Sequence, residues 1–515
     1  MTQYKKLLVY EAIQKRLSHH RSVEAKIQSQ CQPERVTRSQ TTSAPAQHPK
    51  ILTLSLFSPM WRFMGLPIRH VVYDEAQTGQ RTNGLTAEAK KNLYRSTTLL
   101  LTGTPMKNSW STAHVMIELL QGHPFKDFDE FTRVFGKAKA SSPDPTHFAR
   151  LVKFMMGMTV ARPASILGLK EITIITHTFQ LTEEEEINVV YLMLQYMRLR
   201  RRLNDKRGKN EDSAGMFERS MCLATRAQLC AGNMSACVGL KFDKKETDKR
   251  RAVVASLRTQ YHQAASGPTD RSTAALLKFI DTDSTSPVNL DALFNKNGKK
   301  GTRKRGAPIK VDTSAVTMQR KSWVAKVSKL SNKQLFSSRV KECFDLLNSL
   351  RRSHPGQKVA IFSKYLRFLD LITEALRRKR PNDSLVLLFF GELDPTERVV
   401  RKWKFAQADG NARQVIMPIT AGAGGAGMNL TSASVVIQAE PWWTYSEQQQ
   451  AWFRTYRTGQ DKDVTVYVLE ADNSMVDLHI AATRDTKAEA VGKFMAELRR
   501  PDEQMPDIPG IAPIF

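Results

Sequence analysis

Asp74 and Glu75 end an apolar run, Val71-Val72-Tyr73, and are followed by Ala76 and Gln77. Two adjacent carboxylates just beyond a strand suit metal-assisted phosphoryl chemistry. One holds the Mg²⁺ shell, and the next orients or activates the attacking water. Taken alone, the same pattern is an ordinary solvated strand end. A second apolar run from Thr98 ends in Leu101-Thr102-Gly103-Thr104-Pro105, and this partner segment shifts the balance toward acid chemistry at the carboxyl ends of parallel strands. Further along, Ala421 to Thr431 is dense in glycine, with Gly424, Gly425 and Gly427 among them. Glycines there let backbone N–H groups approach phosphates closely, and a flexible turn is the plainer alternative. Gln450, Arg454, Arg457, Gly459 and Gln460 follow. The two arginines are three apart and would share a face of a helix. They could stabilise charge on a transferring phosphoryl group, or be a common surface pair. No Gly-x-x-x-x-Gly-Lys-Ser/Thr phosphate loop occurs in the chain.

The elements that must position these residues read as alternating strands and helices. Strands are expected at Ile51–Phe57, His70–Tyr73 and Thr98–Leu101, with helices at Ala87–Tyr94 and Ser111–Leu120. Such alternation argues for a parallel α/β sheet. Thr182 with Glu185 forms a capping-box pattern that opens a long helix. Val189, Leu192, Met193, Tyr196 and Met197 recur there at helical spacing and should face a core. A second α/β unit has its first helical stripe at Val340, Cys343, Phe344, Leu347 and Leu350. Its strands are expected at Val359–Phe362, Leu385–Phe390, Gln414–Ile419, Ser434–Gln438 and Val464–Leu469, with helices at Arg367–Arg380 and Pro395–Ala408. The pattern is doubly wound.

Composition narrows the class. The chain has 515 residues, 41% of them hydrophobic, enough to bury a core. Its formal net charge of +28 favours a polyanionic partner, DNA or RNA first, over a merely solvated basic surface. The five cysteines make no Cys-x-x-Cys pair, so a structural zinc site is poorly supported and a reducing compartment fits. No secretory signal and no apolar run of membrane-spanning length is found. Lys299 to Arg305 is a basic cluster that reads equally as a nuclear localisation signal, a DNA-contacting loop or a solvated charge run.

Taken in order and spacing, the motifs resemble the Swi/Snf-type DNA-dependent ATPases of helicase superfamily two. Asp74, Glu75, Ala76 and Gln77 match that family's acidic box, and Leu101 to Pro105 with Asn108 match its coupling segment. Ala423 to Thr431 matches its Ala-Gly-Gly-x-Gly-x-Asn-Leu-Thr, Pro441-Trp442-Trp443 its Pro-Trp-Trp, and Gln450 to Gln460 its arginine-finger motif. The resemblance implies ATP and Mg²⁺ as cofactors, with Asp74 and Glu75 holding the metal. It implies catalysis by Asp74, Glu75, Gln77, Arg454 and Arg457. Gly424, Gly425, Gly427, Gln450, Gly459 and Gln460 would meet the nucleotide, and Thr102, Gly103 and Thr104 would couple it to lobe movement. It also implies double-stranded DNA or chromatin as partner and a nuclear location. Gly422 stands where the family usually has Lys, and Thr455-Tyr456 where it has Ala-His.

The expected architecture is two RecA-like parallel-sheet lobes, the first truncated, with a helical insertion between them. Residues 1–50 are expected to be poorly ordered, 51–178 a partial first lobe and 179–239 a helical protrusion. A basic insertion or linker at 240–333 and the second lobe at 334–478 would follow, and then a C-terminal helix with a proline-rich tail at 479–515. Because the family's phosphate-loop Lys and Thr have no counterpart upstream of Ile51, the reading is a translocase fragment whose loop is encoded upstream. The alternatives are an inert relative that binds DNA or a partner, and a chain that hydrolyses ATP as it stands. Loss of the loop strand would expose an apolar sheet face in the first lobe.

Overall fold

The computed structural model describes residues 67–77, 93–103, 110–136, 145–161, 168–205, 213–232, 243–264, 313–423 and 428–498, together with 65, 90, 91, 105 and 106. The N-terminal segment, the strand expected at Ile51–Phe57, the basic cluster at Lys299, the tail from Pro501, Cys31 and Cys237 lie outside the described residues. So do four of the eight residues of the helix expected at Ala87–Tyr94, of which Lys90 and Lys91 are helical. The chain divides into two compact units, one running to Ala161 and including Ala490 onward, the other spanning Arg162–Glu489.

In the first unit β1 (Ile68–Asp74) and β2 (Arg95–Leu101) pair in parallel, with Tyr73 opposite Leu100 and Asp74 opposite Leu101. Parallel pairing brings both carboxyl ends to one edge, so the acidic pair and the Thr-Gly turn leave the sheet side by side. Val72 and Leu99 are 47% and 55% exposed, on strands of a type usually covered on both faces. Helices α1 (Ala113–Ile117), α2 (Phe128–Phe135) and α3 (Pro145–Met156) enclose a separate phenylalanine core. Phe125 meets Phe131, Phe135 and Phe154 edge-on at ring distances of 5.4, 5.5 and 5.4 Å, an arrangement aromatic quadrupoles prefer.

The second unit is built on a six-stranded sheet ordered β3-β8-β7-β4-β6-β5, and every pairing in it is parallel. Its strands are β3 (Ile172–Phe179), β4 (Lys358–Ser363), β5 (Ser384–Val386), β6 (Gln414–Thr420), β7 (Ala433–Gln438) and β8 (Val464–Ala471). Its helices are α4 (Glu183–Asp205), α5 (Ser213–Ala231), α6 (Lys244–Ala264), α7 (Thr313–Ser328), α8 (Ser338–Ser353), α9 (Leu366–Lys379), α10 (Pro395–Gln407), α11 (Tyr445–Trp452) and, as far as Glu489, α12 (Met475–Leu498), whose Phe494 and Leu498 belong to the phenylalanine core of the first unit. β6 and β7 are buried along almost their whole length, as continuous apolar runs in a doubly covered sheet should be.

Three features differ from the sequence reading. The boundary expected at residue 178 cuts across β3, which lies in the second sheet beside β8, with Ile172 opposite Val464 and Phe179 opposite Ala471. β5 stops at Val386 rather than running to Phe390. Pro418 of β6 has no N–H for the carbonyl of Leu387, so the ladder loses one bond there. Leu387 N–H and Phe389 N–H still donate to Ile416 and Pro418, at 2.9 and 2.7 Å. Finally, the stretch 240–333, read as an insertion of weak periodicity, contains α6 and α7. Arg320 of α7 makes a bidentate pair with Asp370 of α9 at 2.9 and 2.7 Å, and Trp323 Nε1 donates to the same carboxylate. Arg378 then donates to the carbonyls of Val327, Ser328 and Leu330, closing the carboxyl end of α7.

Other expectations hold in detail. The capping box at Thr182 forms, with Thr182 N–H on Glu185 at 2.9 Å and Glu185 N–H on Thr182 Oγ1 at 3.4 Å. Val189, Leu192, Met193, Tyr196 and Met197 are all buried. Burial pushes the thiols of Cys230 and Cys343 up to about 12, so both act as small apolar groups. No described helix is long and apolar enough to cross a membrane.

The deepest polar contact is Arg339, at the start of α8. Its guanidinium donates to the carbonyls of Ala231 at 3.3 Å, Ala439 at 2.8 Å and Leu469 at 3.1 Å, and it pairs with the buried Asp477 carboxylate. Breaking such a pair leaves a buried charge uncompensated. Arg339→Leu should therefore lower the unfolding free energy by about 3–5 kcal/mol. The double replacement with Asp477→Leu should recover part of that loss, and urea denaturation of the three chains measures both.

Candidate functional site

In the first unit the acidic pair sits at the tip of β1. Asp74 is exposed and Glu75 half-buried, while Ala76 and Gln77 are buried. Glu75 has φ of +52°, and it is the one described residue other than glycine with a positive φ. A non-glycine side chain in the left-handed region costs energy, and such strain concentrates where function fixes a side chain. Surrounding contacts hold it. Ala76 N–H donates to the carbonyl of Leu101 at 3.0 Å, which joins the turn to the end of β2. Gln77 Nε2 donates to Glu75 Oε2 at 2.6 Å, and Thr102 Oγ1 donates to Gln77 Oε1 at 2.6 Å. Thus a side-chain relay runs from the carboxylate through one amide to the first residue of the Thr-Gly turn. Both ends of the Gln77 amide are used, so a change at either terminus reaches the other.

The carboxylates suit a magnesium ion. Mg²⁺ takes one or two protein carboxylates and fills its remaining positions with water and phosphate oxygens. Asp74 and Glu75 supply two, and among the described residues no larger group of metal-ligating side chains gathers. Gly103 belongs to the described turn, while Thr104 and Asn108 lie outside the described residues.

In the second unit the segment from Met428 to Gln460 is tied together at the end of the sheet. Met428 and Leu430 are buried, and Asn429 Oδ1 accepts from Thr431 N–H at 3.2 Å. Gly424, Gly425 and Gly427 lie outside the described residues. Arg454 and Arg457 do not share a helical face as their spacing suggested. α11 ends at Trp452, and both arginines occupy the turns that follow. Trp452 Nε1 donates to Gln438 Oε1 at 2.9 Å and fixes the end of the helix against β7. Thr455 Oγ1 then donates to the carbonyl of Trp452 at 2.7 Å. The turn is held from both sides. Leu430 N–H donates to the carbonyl of Arg454 at 2.9 Å, and Arg457 Nη1 reaches the carbonyl of Met428 at 3.4 Å. Gln460 is buried and donates to the carbonyls of Ala433 and Thr455, at 2.8 and 3.1 Å. Its role here is to brace the turn. Gly459 has φ of +97°, a conformation that favours glycine, and this accounts for its place in the motif. Gln450 is half-buried on α11.

One group that the sequence reading missed underlies this arrangement. Glu440 follows β7 and is buried. It accepts from Ser363 Oγ at 2.8 Å, Lys364 N–H at 2.7 Å and Trp442 Nε1 at 2.9 Å. Lys364 in turn pairs with Glu447 of α11 at 2.7 Å. A lone carboxylate thus joins the turn after β4 to the Pro-Trp-Trp segment. Its only trace in the sequence is an acid between an apolar strand and two tryptophans. Burial pushes the Glu440 carboxyl above its ordinary range, against the lowering effect of its donors. The folded protein therefore holds this proton more tightly than the unfolded chain. Stability from this group is fully present below the ordinary carboxylate range and is lost as pH rises through the raised value. Glu440→Gln keeps an oxygen for Lys364 and Trp442 and offers an N–H to Ser363. The urea midpoint should fall less steeply in that variant than in the parent chain as pH rises above the ordinary carboxylate range.

Comparison with known proteins gives this arrangement a context. Residues 51–218 match the SNF2-related domain and residues 339–459 the helicase conserved C-terminal domain. The DNA repair protein RAD5 of Debaryomyces hansenii is 31% identical over 166 residues, which are 32% of this chain and 14% of that protein. RAD5 of Saccharomyces cerevisiae is 32% identical over 167 residues, again 32% of this chain and 14% of the relative. The chain thus spans 14% of the length of either RAD5 protein it matches. The C-terminal part of the Fun30 ATPase domain aligns over 64% of this chain and 99% of its own, at a TM-score of 0.35 and 16% identity. The two matched domains stand in the order that the motifs predicted, and the chain belongs to the Swi/Snf-type ATPases of helicase superfamily two.

Proposed function

We propose that this chain works in an ATP-driven motor on duplex DNA, in the nucleus and in the service of repair or chromatin remodelling. The observation that carries the reading is the relay Glu75–Gln77–Thr102, built around a strained Glu75 at the end of a parallel strand. A strand end alone needs neither the strain nor the relay. A motor needs both a carboxylate held in one orientation and a path from it to a segment that can move. Mg²⁺, when bound by Asp74 and Glu75, would neutralise charge on the phosphates of ATP. Glu75 would orient the attacking water and take its proton, Gln77 would fix the carboxylate, and Thr102 would carry the state of the site into the Thr-Gly turn. Arg454 and Arg457 would offset charge on the transferring phosphoryl group. RAD5 relatives are named as DNA repair proteins, which supports the repair role. The net charge of +28 suits a partner whose backbone is a polyanion, held with little reading of bases.

ATP hydrolysis measured with and without duplex DNA tests this. In a protein that joins these residues to a phosphate loop, which this sequence lacks, hydrolysis should be stimulated by duplex. Glu75→Gln should lower the stimulated rate by at least about 100-fold, the scale of general-base loss, while leaving DNA affinity intact. Thr102→Val, which removes the donor to Gln77, should lower it by about tenfold, equivalent to one hydrogen bond of about 1.4 kcal/mol. A Glu75→Gln chain as active as the parent would sink the assignment. DNA binding that weakens linearly with the logarithm of salt, without any hydrolysis, would instead assign the chain a binding role.

A further inference from the structure

Helix α10 is oriented against the usual rule. An amphipathic helix on a sheet normally turns its apolar stripe inward. Here Val399, Val400 and Trp403 lie on the outward face, 68%, 37% and 63% exposed. Their positions, together with exposed Thr396 and Gln407, recur at helical spacing and form one stripe. The inward face is anchored mainly by polar groups. Arg398 donates to the carbonyls of Leu393, at 3.0 Å, and Gly391. Arg401 donates to the carbonyl of Leu388 and pairs with Glu397 at 2.7 Å. Phe405 is the one buried residue of the helix. Asp394 caps its start and Lys358 Nζ holds the carbonyl of Ala406 at 2.6 Å. The orientation is therefore fixed by five residues outside the helix, Lys358, Leu388, Gly391, Leu393 and Asp394, rather than by chance exposure of a loose helix.

Three large apolar side chains gathered within five residues of a well-held helix mark an interaction surface. The charge around them selects the partner. Lys402 and Lys404 flank Trp403, and the helix's own Glu397 is engaged by Arg401. A second copy of this chain would bring lysines against lysines, and +28 against +28. A nucleic-acid backbone would meet two valines and an indole where it needs cationic or N–H donors. The geometry points to a docking face for an acidic segment of another protein, one carrying aliphatic or aromatic anchors for Val399, Val400 and Trp403 and carboxylates for Lys402 and Lys404. This surface is independent of nucleotide chemistry and stands whether or not the chain hydrolyses ATP.

The test uses the full chain and a fluorescent synthetic peptide of about 20 residues. The peptide carries Leu and Phe at helical spacing and Glu elsewhere. A counterpart has Lys in place of every Glu. Anisotropy should show binding of the acidic peptide only. Trp403→Ala should weaken it roughly tenfold or more, as loss of a central aromatic anchor does. Lys402→Glu with Lys404→Glu should also weaken it. Circular dichroism checks that these surface variants fold, and Val399→Asp supplies an independent disruption of the same face. Acidic-peptide affinity unmoved by Trp403→Ala and Val399→Asp overturns the proposal. So does a short duplex whose affinity falls with Trp403→Ala, which would make the face a nucleic-acid surface. A dimer in sedimentation velocity that Trp403→Ala dissolves overturns it in favour of a second copy.

Discussion

A parallel sheet delivers all its carboxyl ends, with their unpaired carbonyls, to one edge, and in the second unit that edge is closed by Arg339. Its guanidinium spans the last residue of α5, the chain after β7 and the end of β8, with Asp477 of α12 balancing its charge. Asp477 also accepts the N–H of Ala471 at 3.0 Å, so the pair fixes the exit of β8 as well. No apolar side chain could make these contacts, because three carbonyls and a carboxylate need donors in a fixed fork. The helical pair α4 and α5 is consequently joined to the sheet by polar contacts as well as by packing. Gln228 of α5 donates to the carbonyl of Pro441 at 2.9 Å and accepts from Tyr365 Oη at 2.5 Å. What begins in sequence as a protrusion ends as part of the support for the Pro-Trp-Trp segment, and through it for the turn that carries Arg454 and Arg457.

Local hydrogen bonding then decides what the site residues do, more than their types. Gln77 and Gln460 are both motif glutamines, but Gln77 links the side chains of Glu75 and Thr102, whereas Gln460 binds only backbone groups, the carbonyls of Ala433 and Thr455 and the N–H of Lys462. The first transmits a change, and the second resists one. Glu75 and Glu440 differ in the same way. Glu75 is half-buried at a strand tip in a strained conformation, open to chemistry. Glu440 is enclosed by three donors, and its acidity is committed to holding two turns together.

The parts of the fold legible in the sequence were those dictated by burial on both faces. β4, β6 and β7 are continuous apolar runs, and the stripe Val340, Cys343, Leu347 and Leu350 can serve only as a core face. β3 escaped assignment to its sheet because Ile174 and Ile175 stay 46% and 39% exposed at the edge, so its pattern does not name a partner. α7 escaped because its docking rests on Arg320, Trp323 and Arg378 against α9, and basic residues in a basic stretch look like solvent. The arginine turn was misread as helix because spacing alone cannot show that Trp452 is held by Gln438 and that Thr455 turns back on it. The motifs themselves were legible as an ordered set, in the order of the two matched domains. The long-range groups that hold them, Arg339 and Glu440, were not, since each acts through partners scores of positions away.

Those partners also change the meaning of the net charge. A total of +28 suggests a surface covered in groups ready for phosphate. Yet Arg339, Arg320, Arg378, Arg398 and Arg401 all aim their guanidinium groups at carbonyls or carboxylates of this same chain. They contribute to the long-range field that draws a polyanion near, but their donors are already engaged and cannot grip its backbone. Attraction and contact are therefore divided between different residues. The field comes from the whole excess of Lys and Arg, whereas direct phosphate contacts must come from exposed cations with uncommitted donors. Counting basic residues measures the first of these, and the hydrogen-bond pattern identifies residues that are withdrawn from the second.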